Sequence, residues 1–218
     1  KKNLYDEMSI DFQLNSKKYG VDLIRFSHST NDAIHASTKV DDTIRYMSLH
    51  DNKYIRYFPG HMKKVLTLTM SPVDDMFLSS SKDKTIRLWD LRSPNSQGIM
   101  TLSDEAVAAF DPEGLIFAAG IGSSVINLYD LRTYDKGPFN DMRPLEDTKE
   151  RTDIENPWTS MYFSPNGKQI MINTKGEYIR VIDSYDGKLL FTLTGFQNNK
   201  RDEMEATYTA DSNFIFGA

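Results

Sequence analysis

The chain has 218 residues, 39% of them hydrophobic and 11% aromatic, enough apolar material to bury a core and too much for a disordered segment. Its formal net charge of −5 argues against a nucleic-acid binder that works through a basic face, so no direct nucleic-acid contact is expected. It contains no cysteine, which excludes disulfides, Cys-ligated zinc and a thiol nucleophile, and no apolar run nears the roughly 18 residues of a membrane span, so no membrane partner is expected.

Two phrases alternate along the chain. One is clearest in "DDTIRYMSLH" (41–50) and "DKTIRLWDLR" (83–92); it closes at Asp6, Ser48, Asp90, Asp130 and Asp183, in steps of 42, 42, 40 and 53 residues. The other is anchored at Phe26, Met70, Phe110, Phe163 and Tyr208, in steps of 44, 40, 53 and 45. Two interleaved phrases at one period of about forty residues predict a repeat architecture with one β-propeller blade per period.

The opening segment, 1–15, ends one phrase at Asp6 and otherwise fits the pattern poorly. "NKYIRYF" (52–58) reads as an outer strand or a partner-binding segment. In the best-preserved repeat "VLTLTM" (65–70) alternates as a strand does, "SPVDD" turns, "MFLSS" is the next strand and "SKDK" the next turn. "TIRLWD" (85–90) comes next, with Ile86 and Leu88 on one face and Arg87 and Trp89 on the other, and "QGIMTL" closes the blade. The insert 140–156 accounts for the 53-residue step and is expected to be a solvated, mobile loop. The chain opens on Lys1 and stops at Ala218 inside a second phrase, so both ends are expected to be cut. The expectation is an all-β propeller of four-stranded antiparallel blades forming one domain over 1–218, with four whole blades and parts of two. What recurs from blade to blade is read as architecture, and so are Arg45, Arg87 and Arg180, which recur at one strand position; unrepeated segments are where function is sought.

Gly60-His61, Asp83 and Trp89-Asp90 resemble the signature of WD-repeat propellers. The resemblance implies a buried hydrogen-bonded chain through His61, one of Ser79 to Ser81, Asp83 and Trp89, a set that works together or not at all. Tyr46-Met47, Leu128-Tyr129 and Val181-Ile182 replace the Leu-Trp step elsewhere, so only the blade around Trp89 is expected to carry it. The segments "NSKKYGVD" (15–22), "LHDNKYIRYFPGH" (49–61), "LRSPNSQG" (91–98) and "DLRTYDKGPF" (130–139) do not repeat. With "SPVDD" and "FDPEGLIFAAG" they closely resemble the small propeller subunit of COMPASS-type histone lysine methyltransferase complexes, densely over 16–139 and more thinly beyond. That resemblance implies seven blades when complete. It also implies a nuclear, non-catalytic scaffold bound to histone methyltransferase complex subunits. Assemblies for transcription termination and messenger RNA 3′-end processing, some with a protein phosphatase, are implied as further partners. So is a link, direct or indirect, to the phosphorylated tail of RNA polymerase II. A WD-repeat adaptor of another complex, such as a ubiquitin ligase substrate receptor, shares the fold, and the loop-level matches weigh against it.

Two segments are candidate partner contacts. Lys17 and Lys18 beside Tyr19 offer cations and an aromatic to a phosphorylated tail, and equally suit a solvated turn. Lys53, Tyr54, Arg56, Tyr57 and Phe58 include favoured interface residues, and the alternation of Tyr54, Arg56 and Phe58 equally suits an outer strand covering a blade edge. No catalytic site, metal or cofactor is expected: His28, His35, His50 and His61 form no His-x-x-x-His pair, no Gly-x-Ser-x-Gly elbow occurs, and Asp41-Asp42 and Asp74-Asp75 fall in turns.

Overall fold

Short apolar-alternating runs punctuated by Gly, Pro, Asn and Asp leave each segment one option, a strand that turns back on its predecessor. In the computed structural model, which describes residues 16–145 and 156–217, this produces four consecutive four-stranded antiparallel sheets. Blade one is β1 (Asp22–Phe26), β2 (Asp32–Ala36), β3 (Ile44–Ser48) and β4 (Lys53–Phe58). Blade two is β5 (Val65–Met70), β6 (Met76–Ser81), β7 (Thr85–Asp90) and β8 (Gly98–Thr101). Blade three is β9 (Ala106–Phe110), β10 (Ile116–Ile121), β11 (Val125–Asp130) and β12 (Asn140–Met142). Blade four is β13 (Trp158–Phe163), β14 (Gln169–Thr174), β15 (Tyr178–Asp183) and β16 (Leu189–Thr194). A two-stranded sheet of β17 (Ala206–Tyr208) and β18 (Ile215–Gly217) comes last.

Of the two partial blades expected, one is this two-stranded sheet; the other falls in 1–15, outside the described residues. The insert expected as loop from 140 begins instead as a strand. Asn140–Met142 pairs with Ile126, Asn127 and Leu128, because the third blade needs a fourth strand to satisfy the outer edge of β11. Its remainder from 146 to 155 lies outside the described residues.

The core lies between blades rather than inside them. Phe77 and Trp89 of blade two pack against Ile34, Ile44 and Phe58 of blade one, whereas Leu78, Ile86 and Leu88 on the opposite face meet Ala108, Phe117 and Tyr129 of blade three. Period-two alternation sends the two sets to opposite neighbours, so each blade is apolar on both faces. Blade three meets blade four through Ile126 and Leu128 against Trp158 and Ile172. The small side chains of β9 let its backbone come close to blade two, where the Ala108 N–H donates to Thr67 Oγ1 at 3.2 Å, itself 2.6 Å from Ser80 Oγ.

A belt of turns joins the blades at one rim. His28 Nε2 of blade one donates to the Ser71 and Asp74 carbonyls of blade two at 3.1 and 2.9 Å. Gly114 of blade three sits at φ +68°, and a Cβ there would lie 2.7 Å from a Val73 methyl of blade two. The Asn166 N–H of blade four donates to Ser212 Oγ at 3.1 Å. Gly114→Ala is therefore expected to cost about 2–3 kcal/mol, combining left-handed backbone strain with an inter-blade clash. Gly167→Ala, at the matching turn of blade four with φ +72° and its nearest neighbour, Pro112, 4.0 Å from the added carbon, meets only the backbone part and should cost about 1 kcal/mol less. Equal shifts in the denaturant midpoint would show that the turn belt carries no packing.

Candidate functional site: a buried hydrogen-bond chain and an exposed tyrosine–lysine cluster

The linker from β4 into β5 brings Gly60 over the side chains of Arg87 and Trp89, and the next residue, His61, reaches down into blade two. Trp89 Nε1–H donates to Ser79 Oγ at 2.8 Å, and the Ser79 hydroxyl donates to His61 Nε2 at 2.7 Å. His61 Nδ1–H then donates to Asp83 Oδ2 at 2.9 Å. Indole can only donate and carboxylate only accept, which puts a proton on Nδ1, and burial favours the neutral ring, so Nε2 is left to accept from Ser79. Asp83 also accepts from the Met62 N–H at 3.0 Å and from the Thr85 N–H and hydroxyl at 3.0 and 2.6 Å. Of the three adjacent serines, Ser79 fills the role; Ser80 bonds Thr67, and Ser81 donates to the Lys63 carbonyl and accepts from the Asp83 N–H.

Burial holds His61 below the usual imidazole range, with Asp83 opposing. Burial by itself would raise Asp83, but the bonds from Thr85, His61 and Met62 outweigh it and bring the carboxyl down to about 2.

The register shows why the other blades lack the chain. The place of Trp89, opposite Phe77, is taken by Met47, Tyr129 and Ile182, and the place of Ser79, opposite Arg87, by His35, Ala119 and Ile172. Blade three closes with a stacked Phe117–Tyr129 pair at 5.2 Å. In blade one His35 is buried and held below its ordinary pKa by burial, and Arg45 is buried beside it. Arg45 forms a two-pronged pair with Asp41 at 2.8 and 2.9 Å and donates to Ser37.

The two candidate partner segments meet on Arg45. Its guanidinium lies 3.7 Å from the Tyr19 ring centroid and 5.6 Å from that of Tyr57, while Tyr54 stands 5.8 Å from Tyr19 and 5.6 Å from Tyr57. Lys18 Nζ lies 4.8 Å over the Tyr19 ring, and its proximity lowers the phenol's pKa and raises its own. Lys17 and Lys53 are exposed nearby in sequence.

Simple alternation in 53–58 is not what the structure contains. A bulge between the pairs Tyr46↔Arg56 and Met47↔Tyr54 inserts Ile55 as an extra residue, which puts Tyr54 on the face of Tyr57 and leaves Arg56 and Phe58 on the other. Phe58 is 1% exposed, packed on Phe77 and Trp89 at 4.9 and 5.6 Å, and Arg56 donates to the Leu91 carbonyl. Those two residues therefore join blades. The recurrence of Arg45 marks it as architecture and hides its place at the centre of this cluster; the signal for that place is its cross-strand pairing with Tyr57. The corresponding pair in blade two, Arg87↔Ile99, leaves Ile99 53% exposed with blade one in place, so this position belongs to the rim.

The remaining chemistry-bearing groups are occupied locally. Asp41 and Asp74 accept from the Thr43 and Met76 N–H groups, and His50 is exposed beside Asp51. "RTYDKGPF" folds into a 3-10 turn, Tyr134–Lys136, that lays Tyr134 over Gly98 of blade two. Among the described residues no group of three or more His, Asp or Glu is placed to hold a metal ion.

The family profile described as "WD domain, G-beta repeat" matches residues 52–90, the outer strand of blade one through the third strand of blade two. Fold, buried chain and this match are those of WD-repeat blades. The chain is 61% identical over 203 residues to "WD repeat-containing protein 82" of Drosophila melanogaster, covering 93% of this chain and 62% of that relative. It is 43% identical over 222 residues to "Set1 complex component swd2" of Schizosaccharomyces pombe, covering 98% and 61%. It is 36% identical over 208 residues to "COMPASS component SWD2" of Saccharomyces cerevisiae, covering 93% and 61%. The chain is thus a WD-repeat protein resembling the COMPASS-type propeller subunit, and it spans about three-fifths of the length of these curated relatives.

Ser79→Ala strands both the indole N–H and His61 Nε2 and is expected to cost about 1–3 kcal/mol. Combined with Trp89→Phe, the loss should fall short of the sum by at least about 0.5 kcal/mol, because the two changes break one bond. Strict additivity in denaturant melts would contradict the chain. Both His61 and Asp83 have lowered pKa values in the fold, so their contribution is present above the unfolded values and is lost as pH falls. For Asp83 the loss runs from about pH 4 to about pH 2 and amounts to roughly 2 kcal/mol, and Asp83→Asn should flatten the stability-versus-pH slope in that window. An unchanged slope would contradict the assignment.

Proposed function

We propose that this protein is a non-catalytic scaffold subunit of a COMPASS-type histone lysine methyltransferase complex, acting in the nucleus. The observation that carries the reading is its similarity, across more than nine-tenths of the chain, to relatives named as components of the Set1 complex and of COMPASS. Methylation belongs to another subunit. Of the groups that could suggest catalysis, His28 serves an inter-blade bond, His61 the buried chain, and Asp41 and Asp74 their turns. Within the same proposal the protein also serves transcription termination and messenger RNA 3′-end processing assemblies, including phosphatase-containing ones, and links them to the phosphorylated tail of RNA polymerase II.

Lys17, Lys18, Tyr19, Lys53, Tyr54 and Tyr57 are the proposed partner contacts. Cations next to aromatic faces suit a phosphorylated, tyrosine-bearing or otherwise anionic segment. Affinity purification of the full-length protein from nuclear extract, with mass spectrometry of the co-purifying proteins, is expected to recover methyltransferase subunits or 3′-end and phosphatase factors. Recovery of ubiquitin ligase adaptors in their place would overturn the reading. Lys17→Glu with Lys18→Glu is expected to weaken binding to a phosphorylated polymerase-tail peptide at least fivefold without moving the unfolding midpoint. Unchanged binding would remove this cluster from the contact.

A further inference from the structure

We propose that Ser93 is a phosphorylation site for a proline-directed serine/threonine protein kinase using a nucleoside triphosphate. The chain holds three Ser-Pro dipeptides, at Ser71, Ser93 and Ser164. Two belong to the repeated turn at the end of each inner strand. Ser71 and Ser164 are 1% and 0% exposed. Ser71 Oγ accepts from the Val73 and Asp74 N–H groups and Ser164 Oγ from the Gln169 N–H. In blade three the same place is held by Asp111, whose carboxylate accepts from the Leu115 and Ile116 N–H groups. A carboxylate doing the same work shows that this position is for capping the turn and that its hydroxyl is not available.

Ser93 differs in exposure and in its place in the repeat. It lies in the connection from β7 to β8, with Arg92, Pro94 and Asn95 exposed around it and its own side chain partly exposed. Its Oγ takes part in one described hydrogen bond, accepting from the Asn95 N–H at 3.4 Å, the length of each of the two bonds to Ser71. The turn leading into it does recur: the Arg92, Arg132 and Tyr185 N–H groups donate to Asp90, Asp130 and Asp183 at 2.8, 2.7 and 2.8 Å. The residues after that turn do not recur. Blade three continues with Thr133-Tyr134 into a 3-10 turn, and among the four blades the Ser-Pro step at this place is found in blade two. The repeat therefore explains Asp90 and does not explain the exposed Ser93-Pro94 step.

In the transfer, Ser93 Oγ forms a bond to the γ-phosphorus, the bridging bond to the nucleoside diphosphate breaks, and the hydroxyl proton passes to the kinase's base. The product carries about two negative charges next to Arg92, which now grips Asp90 with Nε at 3.0 Å and Nη2 at 2.7 Å. The phosphate competes for that guanidinium and releases Asp90. The same loop is tied to blade one through Arg56 on the Leu91 carbonyl, so the change is felt at the rim between blades one and two.

The test is to treat folded full-length protein with a proline-directed kinase and ATP, alongside a synthetic peptide spanning 88–99, and to map phosphate by mass spectrometry. Labelling of Ser93 in the folded protein is expected, falling at least tenfold in Ser93→Ala and in Pro94→Ala, with Ser71 and Ser164 unlabelled. A labelled peptide with an unlabelled folded protein would show that the loop is not presented, and an unlabelled peptide would show that the sequence is not a substrate; either overturns the proposal.

Discussion

A four-stranded sheet with apolar residues on both faces cannot stand alone in water, and the rest of this structure depends on that constraint. Each blade is stable only when its neighbours cover it. At the junction of blades one and two the constraint is met together with a polar network. Trp89 is completely buried there, its ring against Phe58 and Phe77 and its indole N–H at the head of the Ser79, His61 and Asp83 chain. One residue thus joins the inter-blade core to a polar network that begins in the linker between the two blades. The network fixes the linker, the linker fixes the entry of β5, and the neighbouring blade is placed as a result.

The repeat made much of this legible. Phrase spacing located the inner and third strands of each blade, and the change from Trp89 to Met47, Tyr129 and Ile182 located the one blade with the polar chain. Three features were not legible for physical reasons. The choice of Ser79 among three adjacent serines depends on which face each occupies, and a run of serines has no apolar pattern to reveal it. The bulge at Ile55 reverses the facing of Tyr54 relative to Arg56 and Phe58, and no residue in "NKYIRYF" announces an inserted position. Asn140–Met142 becomes strand through pairing with β11, although its own composition is that of a loop.

The unrepeated segments separate into two kinds once placed. "RTYDKGPF" is consumed by covering Gly98, and Arg56 and Phe58 by joining blades. Lys18, Tyr19, Tyr54 and Tyr57 gather around Arg45 at the end where the chain enters β1, and Ser93-Pro94 stands at the opposite end of the blades, since antiparallel strands send the β7–β8 connection there. Separate features at the two ends of the blades suit the scaffold role proposed above.

The central claim is that the Trp89 junction opens only when the whole propeller does. Native-state hydrogen exchange of the Trp89 indole N–H tests it directly. The account predicts exchange with a free energy equal to that of global unfolding. Exchange through a local opening several kcal/mol below that value would show that blades one and two are held together by something else.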